Sequence, residues 1–127
     1  MQSTLLVFIG GGLGAALRHA SNVAIARSFG TAFPWNTLAI NVAGSAAMGL
    51  LAAFFAFKAG EGWSQPARLF LTTGVCGGFT TFSAFSLDAV LLWERGSTSL
   101  AIAYAIASVV LSILGLLAGL AIVRSLT

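Results

Sequence analysis

Residues 67–93 read ARLFLTTGVCGGFTTFSAFSLDAVLLW, and the middle of this stretch decides the fold. The two flanks are apolar, and together they reach the roughly 20 residues that a helix needs to cross a hydrocarbon core. The centre resists continuous helix. Gly74, Gly77 and Gly78 precede the pair Thr80-Thr81, and each helical glycine costs about 1 kcal/mol relative to alanine. The pattern predicts a helix, an unwound segment within 74–81, and a second helix from about Phe82. At membrane depth such backbone is tolerated only where it is buried in protein or lines a cavity. A broken helix also turns carbonyls and amides inward, where ions bind. A glycine kink serving packing alone is the competing reading of the same residues.

Working outward, three more apolar stretches appear, at about 4–26, 35–57 and 100–123. Arg18 and His19 interrupt the first, and Asn41 lies inside the second. The joints carry turn chemistry at Gly30–Pro34, at Gly60, Gly62 and Pro66, and at Gly96. Trp35, Trp63 and Trp93 fall at predicted ends, where indole rings favour the membrane interface. Only 7% of the 127 residues are charged, against about 25% in a soluble domain, so this surface faces something other than water. The expected fold is an all-α integral membrane protein with four transmembrane helices, the third broken mid-membrane, in a single domain over 1–127. The first stretch lacks a basic leader and a clean cleavage site, so it is expected as a retained helix.

Charge excludes one partner and suggests another. The six basic residues are scattered singly along the chain, so no patch exists to track the phosphates of a nucleic acid. With four spans, Lys58, Arg68 and Arg124 fall on one side of the bilayer, and Arg27 and Arg95 on the other, with Arg18 deeper in the first helix. Lys/Arg bias normally fixes orientation, and here there is almost none. The chain is therefore expected to insert both ways and to pair as an antiparallel, isologous homodimer. A single orientation set by other factors is the alternative.

Polar groups in hydrocarbon face the protein interior. Asn41 either bonds across a helix interface or presents its NH2 to a ligand. Tyr104, Ser108 and Ser112 are spaced by four and share one face. They form a polar track unless each serine bonds its own i−4 carbonyl. Phe82 and Phe85 share another face, with Ser83 and Ser86 beside it. These rings are either core or a source of positive edges for a small anion. Arg18 reaches an aqueous vestibule or snorkels, and His19, the only histidine, is expected as a satisfied interface residue. The pairs Gly10/Gly14 and Gly115/Gly119 have the spacing of close helix contacts. Glu61, Asp88 and Glu94 are placed near predicted ends or joints. The single Cys76 excludes an intrachain disulfide. No nucleophile, base and orienting group can be named together, so the chain is not expected to be an enzyme.

At this point the residues resemble a family. The string Gly74-x-x-Gly77-Gly78-Phe79-Thr80-Thr81-Phe82-Ser83-Ala84-Phe85-Ser86 resembles the signature of the Fluc, or CrcB, fluoride channels. The glycine run from Gly10 to Arg18 and Asn41-Val42-Ala43-Gly44 resemble their first and second helices. The resemblance implies a dual-topology homodimer with two antiparallel pores in the bacterial inner membrane. It implies passive, fluoride-selective export from the cytoplasm and a central structural sodium ion held by the carbonyls of Gly77 and Thr80. It implies a fluoride pathway of Asn41, Thr81, Phe82, Ser83, Phe85, Tyr104, Ser108 and Ser112, with Arg18 near a vestibule. One position departs from the pattern, with Ala84 standing where the family usually has a second threonine. Fluoride is small and strongly hydrated, and neutral donors can replace its water while still releasing it. A small dual-topology secondary transporter of the multidrug-export type is the alternative, but proton-coupled export needs a carboxylate in the first helix. That stretch has no Asp or Glu.

Overall fold

In the computed structural model, which describes residues 1–127, helices follow the apolar stretches and no strand forms. Helix α1 spans Gln2–Phe29 and α2 spans Trp35–Phe57. The third rod is composite: α3 (Ser64–Arg68), a π-helical segment (Leu69–Cys76), α4 (Gly77–Phe79) and, after Thr80 and Thr81, α5 (Phe82–Glu94). Helix α6 spans Thr98–Ser125. Gly30 ends α1 with φ 78°, and Gly96 turns the chain between α5 and α6 with φ 86°. Both are left-handed conformations that favour glycine. Pro66 falls in the first turn of α3, where its missing N–H costs nothing.

The third rod begins at Ser64, and its unwound part is Thr80-Thr81, a short segment within 74–81. Gly74, Gly77 and Gly78 all remain helical. Gly74 and Gly78 lie directly against α1, where a Cβ on either would meet the backbone of Gly10 or Gly11. Upstream, the Thr72 hydroxyl donates to the Arg68 carbonyl at 2.7 Å, within the turn where the helix widens to π geometry. Such widenings are rare and tend to accompany functional sites.

Three rods, Trp35–Phe57, Ser64–Glu94 and Thr98–Ser125, are long and apolar enough to cross a membrane. α1 has the length, but Arg18, His19 and Arg27 dilute its apolar character. Only 17 of 127 residues are buried. Leucines, isoleucines and phenylalanines of α1 and α6 stand exposed over most of their length. Such faces need lipid or protein against them, not water. The buried centre is small, with Leu38, Leu92, Ala101 and Tyr104 clustered and Phe33, Val42, Phe85 and Ala89 against them.

Elsewhere the rods meet backbone to backbone. α1 packs on the third rod at Gly10 and Gly14, and a Cβ on Gly10 would lie 2.5 Å from the Phe70 carbonyl oxygen. α2 packs on α6 at Gly49, where a Cβ would overlap the Leu116 carbonyl. A backbone carbonyl cannot swing aside as a flexible side chain can. Gly49→Leu is therefore expected to cost about 1–3 kcal/mol or more by overpacking, read as a lower unfolding temperature in detergent. Gly60→Ala, where nothing lies within 4 Å, should leave that temperature unchanged.

Candidate functional site

A helix interrupted at Thr80-Thr81 strands carbonyls whose usual partners lie four residues on. Several of the groups around the break find new partners. The Thr81 N–H, which would close on Gly77, donates to Asn41 Oδ1 at 2.8 Å. Asn41 Nδ2 in turn donates to the Thr81 carbonyl at 3.0 Å. The amide of α2 thus pairs with one residue of the break as a neighbouring strand would, using its oxygen and one of its two N–H groups. The Phe82 N–H would have met the Gly78 carbonyl, and Arg18 Nε takes that carbonyl at 3.1 Å. The Ala84 N–H would have met Thr80, but donates to Thr81 Oγ1 at 3.1 Å. Thr81, at φ −151° and ψ 116°, is therefore the N-cap of α5. Both the N–H and the hydroxyl of Thr80 donate to the Cys76 carbonyl, each at 3.0 Å. Its methyl sits where a Cβ on Gly44 would be, so the Asn-x-x-Gly of α2 supplies a clamp and a seat for the break together.

Beside the break lies an open cavity of about 340 Å³. α2 contributes Asn41, Gly44, Ser45 and Met48; the break and α5 contribute Thr80, Thr81, Phe82 and Phe85. α6 closes the third side, with Ser108 and Ser112 among its lining residues. No charged side chain reaches it. Ser108 Oγ is buried and has no hydrogen-bond partner, so it does not spend itself on the i−4 carbonyl. The Phe82 and Phe85 rings are tilted at 51° with centroids 5.4 Å apart. Phe82 is 78% exposed, so one side of the chamber is left bare by this chain.

Several expected residues lie elsewhere. Tyr104 is fully buried, donates to Asp88 Oδ2 at 3.2 Å and packs on Phe85 with centroids 5.3 Å apart. It stands a turn above Ser108, outside the cavity lining. Ser83 is exposed, and its hydroxyl lies 3.3 Å from that of Thr81. Half-buried Arg18 touches the break rather than the chamber, and His19 is exposed on α1. Asp88 corrects its expected position. It lies within α5, half-buried, rather than at an end. Its spacing of three from Phe85 places it on the face turned to α6, a signal present in the sequence.

The CrcB-like protein, Camphor Resistance (CrcB) family pattern matches residues 5–120 of the chain. The chain belongs to the CrcB family. Among its CrcB relatives is "Fluoride-specific ion channel FluC 2" of Nitrobacter hamburgensis, 62% identical over 97% of this chain and 98% of that protein. "Fluoride-specific ion channel FluC" of Rhodopseudomonas palustris strain BisB5 is 60% identical over the same shares. The protein of that name from Beijerinckia indica is 50% identical over the full length of both chains. These CrcB proteins bear the name of an ion channel, and the chain is a membrane protein with transmembrane helices, not an enzyme.

The Asn41 clamp has a measurable consequence. Asn41→Asp keeps the acceptor for the Thr81 N–H but sets a second oxygen against the Thr81 carbonyl. Leaving that carbonyl unmet is expected to cost about 1–3 kcal/mol, read as a fall in thermal stability of the purified protein. Asn41→Gln, which keeps the chemistry but displaces it, should fall between Asp and the parental chain.

Proposed function

We propose that the chain is a passive, fluoride-selective channel of the bacterial inner membrane. It works as an antiparallel homodimer with two pores and a structural sodium ion at its centre. The observation that carries this reading is an open chamber lined without charge beside the broken helix, with Asn41, Thr81, Ser112 and the rings of Phe82 and Phe85 around it. A pore for fluoride must replace a tight hydration shell yet let the ion leave. The donors available are neutral: the Ser108 and Ser112 hydroxyls, the spare N–H of Asn41 and the edges of Phe82 and Phe85. Thr81 offers its hydroxyl with Ser83 beside it, while Tyr104 and Arg18 act from outside the chamber. The names borne by the 62% and 60% identical relatives support fluoride as the ion.

The dimer reading draws support from the exposed Phe82 ring and from the near-even division of Lys and Arg. A second, inverted copy would cover the bare side of the chamber. The helix α1 would then complete four spans despite its weaker apolar character. For sodium, the donor set is suitable in kind. The N–H groups that would close on the Gly77 and Thr80 carbonyls are bonded elsewhere, and neutral carbonyl oxygens suit a hard cation. Gly77 is exposed on the chain surface. Bound there, the ion would supply positive potential beside the path and tie two breaks together.

The direct test is fluoride efflux from proteoliposomes holding the purified chain. Fluoride should leave down its electrochemical gradient, driven by voltage at about 2.3 kcal/mol per charge per 100 mV, and chloride should not follow. Uphill fluoride movement driven by a proton gradient would overturn the channel reading in favour of a coupled transporter.

Phe82 and Phe85 separate pore from core. Phe82→Ile and Phe85→Ile keep an apolar side chain but lose the ring edge. Each is expected to lower flux by about tenfold or more, the effect of about 1.4 kcal/mol on the barrier, while the protein still elutes at the parental position on size exclusion. Parental flux through such assembled variants would return both rings to simple packing.

A further inference from the structure

A second cavity, of about 450 Å³, lies between α2 and the start of the third rod. It is lined by Ser64, Gln65, Arg68 and Thr72 on one side and by an apolar face of α2 on the other. The two cavities share one residue, Met48. Helical spacing explains why. Asn41, Ser45, Met48 and Ala52 follow one another by four, three and four along α2, so they form a single stripe. Asn41 and Ser45 face the inner chamber, Ala52 faces the outer cavity, and Met48 belongs to both. Arg68 stands at the outer cavity with its guanidinium on the neutral Gln65 side-chain oxygen at 2.9 Å. That contact leaves its positive charge uncompensated, and it is exposed.

We propose that Met48 is the apolar divider between an outer, Arg68-mouthed chamber where anions collect and the inner chamber of Asn41, Phe82 and Ser108. Methionine suits this place. Its side chain is unbranched and adaptable, so it fills a constriction without a polar atom to trap the ion. An apolar constriction impedes passage by shedding water. Below Met48 a hydrated anion has hydroxyls and an exposed cation nearby; above it the donors are sparse and fixed. Met48 is thus where the hydration shell is given up, and its bulk sets which anions can do so. The proposal rests on the channel reading above.

The experiment measures fluoride efflux from proteoliposomes for the parental chain and for Met48→Phe and Met48→Cys. Phenylalanine should lower fluoride flux by about tenfold or more if the constriction lies here, with size-exclusion behaviour unchanged. Parental flux through assembled Met48→Phe overturns the proposal. If that variant fails to assemble, the Met48→Cys thiol decides. A charged, water-soluble methanethiosulfonate should label it and stop flux, with the buried Cys76 of the parental chain as control. Failure to label, or labelling with flux intact, also overturns the proposal. A parental chain that carries no fluoride at all defeats the channel reading itself, an outcome distinct from unaltered flux in the Met48 variants.

Discussion

The whole arrangement depends on one constraint: backbone polar groups cannot be left unpaired where there is no water to meet them. Interrupting the third rod at Thr80-Thr81 breaks the i→i−4 ladder, and stranded groups turn to other partners within the protein. Asn41 meets two of them, Arg18 one, and the Thr81 hydroxyl one. These partners come from α2, from α1 and from the break itself. The break is therefore a point on which three rods converge rather than a local weakness. It also explains why polar residues stand in α1 and α2 at all, where each would otherwise be a cost.

That convergence needs the rods to come unusually close, and the glycines provide it. The Arg18 guanidinium reaches the Gly78 carbonyl because α1 lies directly on the third rod at Gly10 and Gly14. Asn41 reaches Thr81 because Gly44, one turn on, leaves space for the Thr80 side chain. In lipid there is little hydrophobic drive to press helices together, so close van der Waals contact and interhelical hydrogen bonds supply the attraction. The small residues and the polar clamps are thus two halves of one device. Without the close contact the clamps do not reach, and without the clamps the break exposes its backbone.

Much of this was legible in the sequence. Helix α2 falls on 35–57 as its apolar pattern implies, and the interruption before Phe82 followed from glycines next to a threonine pair. Which residues of 74–81 unwind was not legible. Propensity marks Gly74, Gly77 and Gly78 as poor helix, but the backbone packed against Gly74 and Gly78 belongs to α1 and is invisible locally. The π-helical turn at Leu69–Cys76 left no usable signal, since a hydroxyl bonding back to Arg68 is ordinary in any helix. Among the candidate residues, spacing alone grouped Tyr104 with Ser108 and Ser112. The partner of Tyr104, Asp88, is signalled by the face of α5 that this lone carboxylate shares with Phe85.

The same bookkeeping of partners also bears on how Asn41 works. Its oxygen and one N–H are committed to Thr81, so only one N–H remains for the chamber. An amide held in this way cannot turn to follow an ion, and its free hydrogen points in a direction set by the break. A donor fixed in advance costs no reorganisation when the ion arrives. With one N–H left, it supplies a single hydrogen bond, so it meets the ion without enclosing it. Release matters as much as capture in a channel, so on the channel reading the clamp and the donor are not rival roles for Asn41. Being spent on the backbone is what makes the remaining N–H a suitable partner for a passing anion.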